Sequence, residues 1–155
     1  ISEKTVDEWI ASGLISYLGV TNDVRKYINN ADCVVLPSYR EGTPRTLLEA
    51  ASMAKPIVAT NVPGCNNVVE DGYNGFLCNL KDAEDLASKM TKVLNLNISE
   101  RQIMGENSRK KIEEKFDEKI VIQKYLKAIY SIKNRKKLQF SMKTFFKESL
   151  LAKQA

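Results

Sequence analysis

The stretch Asp32–Thr60, DCVVLPSYREGTPRTLLEAASMAKPIVAT, limits what this chain can fold into more than any other. It opens on an unbroken apolar run, Cys33-Val34-Val35-Leu36, stopped by Pro37, and closes on a second run, Pro56 to Thr60. A strand covered on both faces is apolar without alternation, so both read as buried parallel strands. Parallel strands need a crossover between them, and the residues from about Thr43 to Ala54 supply one at helical spacing. The fold class expected is therefore α/β, a Rossmann-like parallel sheet with flanking helices. The loop between the first strand and the helix, Ser38 to Gly42, falls at the carboxyl end of a strand, where open α/β sheets bind ligands.

The start of that helix carries chemistry. Thr43 suits the N-cap, and Pro44 suits the first helical position, where a missing N–H costs nothing. The amides behind the cap then offer free donors backed by the positive end of the helix dipole, a place for phosphate or sugar oxygens. Glu41 precedes the cap and Glu49 sits in the second turn, leaning back toward the N-terminus. Both carboxylates are expected to face one crevice, and a carboxylate accepts two hydrogen bonds at once, as a vicinal diol of a ribose or hexose requires.

Glu41 and Glu49, seven residues between them in PSYREGTPRTLLEA…KPIVAT, resemble the signature of the family 4 retaining glycosyltransferases. The later stretch NVPGCNNVVEDGYNGFL extends the likeness, which runs closely from Gly13 to Leu94 and loosely over the helices beyond. Those enzymes have the GT-B fold of two Rossmann-like halves, and the resemblance implies the donor-binding, C-terminal half. It implies roles as well. Glu41 is the catalytic carboxylate and holds hydroxyls of the donor sugar. Gly42, Thr43, Arg45 and Gly64 face the sugar or diphosphate, and Glu49 holds the ribose. Gly19, Val20 and Thr21, after an expected strand at Leu14–Leu18, lie near the nucleobase; the residues alone equally allow an ordinary capped loop there. The reaction implied moves a sugar from a nucleotide diphosphate sugar to an acceptor hydroxyl with retention and without a metal or other cofactor. The wording of the motif is most like enzymes of bacterial surface-polysaccharide assembly, whose acceptors are often lipid-linked.

The likeness has gaps. Ala54 stands where the family usually has Gly at the helix end, so a left-handed cap there would be strained by about 1–2 kcal/mol unless the helix ends differently. Asn67 replaces a usual Glu. The Arg/Lys pair that the family places for the diphosphate is expected earlier in this half, before the first residue here, and no second, acceptor-binding half fits among these 155 residues, which also begin at Ile rather than Met. The expectation is a fragment that binds a nucleotide sugar and does not transfer it alone. A non-catalytic nucleotide-sugar-binding or interaction module is the alternative.

The rest of the chain is read in order. Ser2–Ser12 predicts a helix with Val6, Trp9 and Ile10 on its apolar face, and Thr21-Asn22-Asp23 caps a second helix up to Ala31. A short helix is expected at Asn66–Glu70, a strand at Phe76–Cys78 after the Asn74-Gly75 turn, and a helix from Asp82 to Leu94. Ser99 caps another to about Phe116, and Asp117 starts one through Ile132 that buries Ile122, Tyr125, Leu126 and Ile129. There is no histidine, and the three cysteines, Cys33, Cys65 and Cys78, lack metal-ligand spacing. Cys33 and Cys78 read as buried thiols of a reducing compartment.

Charge divides the chain. Residues 133–155 hold seven Lys/Arg against the single acid Glu148, whereas the whole chain is +5, so residues 1–132 are close to neutral. The domains expected are 1–132, a partial Rossmann-like nucleotide-sugar-binding domain, and 133–155, a basic amphipathic tail helix with Leu138, Met142, Phe145, Phe146 and Leu150 on one face. Such a helix suits a membrane surface or a second half of the protein. No apolar run approaches the ~20 residues needed to cross a bilayer. The location expected is cytoplasmic, peripheral on the inner membrane surface through the tail. Nucleic acid is not an expected partner, since the basic residues form no patch with the candidate site and no binding motif is present.

Overall fold

Strand β2 (Ile57–Thr60) is buried over its whole length and is the centre of a three-stranded parallel sheet. On one side it pairs with β1 (Val34–Leu36), Val35 opposite Val58, and on the other with β3 (Gly75–Cys78), Val58 opposite Phe76. The computed structural model describes residues 1–133. The tail expected to form a basic helix lies outside the described residues but for Lys133.

Helix α3 (Arg45–Ser52) is the crossover from β1 to β2, and it buries Leu47, Ala50 and Ala51 completely. These join Ile57, Ala59, Val62, Cys65, Val68 and Val69 in one cluster between sheet and helices. A short α4 (Cys65–Val68) follows β2, and α5 (Ala83–Asn95) and α6 (Ile98–Lys115) follow β3. Helix α6 packs on α3 and locks its end: Arg109 Nη1 donates to the Ser52 carbonyl at 2.7 Å. A Cβ at Gly105 of α6 would meet the Ala54 carbonyl oxygen, so the two backbones touch where only glycine fits. Ala54 itself has φ 55, so the helix ends left-handed without glycine and the strain is absorbed by this packing.

The N-terminal expectations meet a correction. Helix α1 (Glu3–Ala11) forms, capped by Ser2, but buries no residue. Leu14–Leu18 is not a strand. A strand exists only through its ladder, and the N–H groups from Ile15 to Val20 donate to no backbone acceptor among the described residues. The segment is exposed throughout, Val20 at 95%. Helix α2 (Arg25–Asn30) follows as expected and buries Ile28.

Three boundaries move for identifiable reasons. Helix α4 begins at Cys65 and stops at Val68, because the buried Asn74 carboxamide takes the Glu70 N–H at 2.7 Å and donates to the Val68 carbonyl at 3.1 Å. Helix α6 is capped by Asn97, not Ser99. The Glu100 amide donates to Asn97 Oδ1 at 2.9 Å and Glu100 Oε2 accepts from the Asn97 amide at 2.8 Å, a reciprocal capping box. The last helix, α7 (118–133), starts after Asp117 as expected, but Ile122, Tyr125, Leu126 and Ile129 are exposed, Tyr125 at 68%. Nothing among the described residues packs on that face.

Candidate functional site

The loop after β1 and the first turn of α3 stand at the carboxyl end of the sheet, where the sequence puts them. The helix starts one residue later than expected. Pro44 is the N-cap, extended at φ −70 and ψ 120, and its carbonyl accepts from the amides of Leu47 and Leu48. A residue before proline avoids the helical region, so Thr43 is held outside the helix and its hydroxyl does not cap it. Among the described residues, the N–H groups of Gly42, Thr43, Arg45 and Thr46 therefore donate to nothing. A helix start left without a side-chain cap is a ready acceptor of anionic or hydroxyl oxygens.

The two carboxylates flank this start. Glu49 lines a cavity of about 470 Å³ between α3 and the segment entering α2, with Leu48, Ser52 and Met53 on one wall and Asn22, Asp23, Val24 and Arg25 on the other. Its Oε1 lies 3.3 Å from Arg45 Nη2. Glu41 is half-buried and does not line that cavity, although both carboxylates were expected to face one crevice. Its charge is felt instead by Cys65, the buried first residue of α4, whose thiol is pushed up by burial and then by Glu41.

The wall facing Glu49 is tied together by local hydrogen bonds. Thr21 Oγ1 accepts from the Asp23 amide at 3.1 Å. Asp23 accepts from the Arg25 amide at 3.0 Å and from its guanidinium at 2.8 and 2.9 Å. The Arg25 contact lowers the Asp23 carboxyl to about 2. Gly19 and Val20 lie just before this wall, Gly19 at φ 73. The sequence reading missed Leu48, Ser52, Met53 and Asp23–Arg25 as lining residues. The Thr21-Asn22-Asp23 cap string was the available signal; Thr21 was placed near the nucleobase, while Asp23 was read as a helix start.

A second opening of about 480 Å³ lies at the carboxyl ends of the strands, lined in part by Pro37, Tyr39, Thr60, Cys78 and Lys81. Lys81 Nζ stands 5.7 Å from the centre of the Tyr39 ring. Cys33, partly covered just before β1, and Cys65 and Cys78, both buried, are free thiols. Among the described residues no group of three or more Cys, Asp or Glu is arranged to hold a metal ion. None of the described helices is long and apolar enough to cross a membrane.

The family pattern of the glycosyl transferases group 1 matches residues 9–111, which include all of this site. The chain belongs to that family. It is 35% identical over 120 residues to the N,N'-diacetylbacillosaminyl-diphospho-undecaprenol alpha-1,3-N-acetylgalactosaminyltransferase of Campylobacter jejuni, covering 77% of this chain and 31% of that enzyme. It is 32% identical over 128 residues to the capsular polysaccharide biosynthesis glycosyltransferase CapM of Staphylococcus aureus, covering 83% and 30%. The chain thus spans about a third of the length of the curated relatives it matches. Among solved structures, Anabaena HepE in complex with UDP superposes at TM-score 0.74 with 23% identity, over 83% of this chain and 36% of that one. Sucrose-phosphate synthase from Thermosynechococcus elongatus gives the same TM-score at 22% identity, over 84% and 33%. These likenesses establish the fold of this group 1 chain as the parallel α/β fold of the glycosyltransferases.

Proposed function

We propose that this chain is the donor-binding part of a family 4 retaining glycosyltransferase that moves a sugar from a nucleotide diphosphate sugar to an acceptor hydroxyl in surface-glycan synthesis. The observation that carries the reading is the set of unpaired amides at the start of α3 with a carboxylate on either side. Glu49, in a cavity large enough for part of a nucleoside, accepts both hydroxyls of the ribose. The segment around Gly19, Val20 and Thr21 and the wall beyond it meet the base. The Arg45 amide, with the α3 dipole behind it, takes an oxygen of the diphosphate, and the amides of Gly42 and Thr43 take oxygens of the sugar. Glu41 accepts from donor-sugar hydroxyls at the reacting end and is the residue assigned to catalysis. Arg45 leaves Glu49 for the diphosphate when donor binds.

The relatives support the acceptor side of the proposal. The Campylobacter jejuni enzyme is named for an undecaprenol-diphosphate-linked acceptor, as is an Escherichia coli galactosyltransferase 35% identical over 95 residues. A lipid-linked acceptor would place the enzyme peripherally at the cytoplasmic membrane face, with residues 133–155 as the basic contact. Acceptor binding falls to a further half of the enzyme and the remaining diphosphate contacts to an earlier part of this donor-binding half, so the 155-residue chain alone binds donor without turnover. No metal cofactor is assigned, as the family resemblance implies. Calorimetric titration with UDP, GDP and ADP tests the reading. One diphosphate should be preferred and Glu49→Ala should weaken it about tenfold or more, as loss of a charge-assisted pair of hydrogen bonds requires. Equal affinity of wild type and variant would overturn it.

A further inference from the structure

Gly64 is distant from Glu41 in sequence, yet their backbones are pressed together. Gly64 is the buried N-cap of α4, at φ 91 and ψ −52. A Cβ built on it would meet the Gly42 carbonyl oxygen and come within 2.7 Å of the Glu41 carbonyl oxygen and 2.9 Å of the Glu41 carbonyl carbon. All three are backbone atoms, so none can swing aside as a side chain would. Both requirements, the positive φ and the close approach, are met by glycine alone.

The contact has a direction. No peptide bond in the described residues is cis, so turning the Gly42 carbonyl toward Gly64 turns the Thr43 N–H to the opposite side. That side is open. A Cβ built on Gly42 meets nothing within 4 Å, and the Thr43 N–H has no acceptor among the described residues. Behind Gly64 the support is stiff. The Asn61 amide donates to the Cys78 carbonyl at 2.8 Å, Asn66 Nδ2 donates to Asn61 Oδ1 at 3.1 Å, and Val62, Cys65 and Val68 are buried in the core.

We infer that Gly64 is a positioning residue: by letting the loop after β2 brace the loop after β1, it aims the Thr43 amide and the Glu41 carboxylate at the donor sugar. This rests on the donor-site reading above and changes what Gly64 does within it, from touching the ligand to holding the residues that touch it. The sheet sets the brace and the brace sets the loop. Glu49 lines a cavity that neither Glu41 nor Gly64 lines and is not among the atoms Gly64 meets, so the nucleoside end of the site should be indifferent to Gly64.

The test uses Gly64→Ala, Glu41→Gln and the double variant, titrated with UDP, GDP and ADP and with the glucose ester of each. Gly64→Ala should leave affinity for the preferred diphosphate within about threefold while removing the extra affinity contributed by the sugar. Adding Glu41→Gln should then cost less than about twofold, because residues acting through one contact are not additive. Equal losses for diphosphate and sugar ester would assign Gly64 to direct phosphate contact, and multiplied losses would separate it from Glu41; either overturns the inference. Two NMR readouts do not depend on a ligand. Wild type should show NOEs from the Gly64 α-protons to protons of Glu41–Thr43, even if the alanine variant fails to fold, and their absence overturns the brace. In a folded Gly64→Ala, amide shifts should concentrate at residues 41–43. Wild type that binds no probe counts against the donor reading itself, and the NMR result then decides the brace alone.

Discussion

Arg45 Nη2 and Glu49 Oε1 meet at 3.3 Å across one turn of α3, the arginine side chain 89% exposed and the glutamate 39%. The carboxylate assigned to the ribose is thus lightly occupied by the cation assigned to the diphosphate. An exposed i,i+4 pair is worth only about 0.3–0.5 kcal/mol, so it yields to a ligand at little cost.

The first prediction follows from that pair. Arg45→Ala should leave affinity for the unphosphorylated nucleoside unchanged or raise it by less than about threefold, since the competing contact is weak. It should lower affinity for the corresponding diphosphate. Titration of both ligands checks this. A tenfold loss of nucleoside affinity would contradict the assignment of Glu49 as the ribose acceptor in competition with Arg45.

Ala54 carries left-handed strain at φ 55, where glycine would rest easily. Ala54→Gly should stabilise the chain by about 0.5–1 kcal/mol, the left-handed relief less the added freedom of the unfolded chain. Gly105→Ala should do the opposite, by about 1–3 kcal/mol, because its Cβ would press on the Ala54 carbonyl. Urea denaturation midpoints of the two variants report both signs.

Buried Asn74 ties the end of α4 to the strand that follows and meets α6 as well, its own carbonyl accepting from Ser108 Oγ at 2.9 Å. Asn74→Ala would strand the Glu70 amide and the Val68 carbonyl and should cost about 2–4 kcal/mol. Ser108→Ala, which removes one donor, should cost about 1 kcal/mol. Comparable losses for the two variants would argue against this ordering.

Asp23 gives a pH prediction with a definite sign. Its carboxyl is lowered to about 2, first by the Arg25 side chain and then by the Arg25 amide. A depressed carboxyl contributes above the unfolded value of about 4 and loses that contribution as pH falls through the folded value. The Asp23–Arg25 contact should therefore persist at pH 4 and release only as pH approaches 2. The carboxyl-carbon NMR titration of Asp23 measures it. A midpoint near 4 would show the contact absent in solution.

Much of the fold was legible in the sequence where local signals and burial agree. The run Ile57–Thr60 is apolar because both faces are covered, whereas Val34–Leu36, expected to be equally buried, is only half-buried at the end of the described sheet; the helix between them shows its buried face at Leu47, Ala50 and Ala51. Leu14–Leu18 misled because an apolar run states a preference, and a strand forms only where a neighbour completes its ladder. Ser99 was read as the cap of α6, and the cap is Asn97. The glutamate three residues beyond Asn97 was the discriminating signal, and it is in the sequence. The burial expected of Ile122, Tyr125, Leu126 and Ile129 assumed a partner that the described residues do not contain.

The candidate site was legible to a lesser depth. Its residue types and the helix start could be read, since Pro44 and the flanking glutamates are local features. That Thr43 does not cap depends on the extended Pro44 backbone. That Glu49 shares a cavity with Asn22–Arg25 while Glu41 does not line it depends on how α2 packs, which no local pattern encodes.

The most direct test of the donor-site account is an amide NMR titration of the chain with UDP, GDP and ADP. The account predicts that one diphosphate shifts Arg45, Thr46 and Glu49 together with Asn22 to Arg25, and that Glu49→Ala moves the midpoint of the response about tenfold or more to higher ligand. Shifts confined to other surfaces, or an unmoved midpoint in the Glu49→Ala chain, would contradict it.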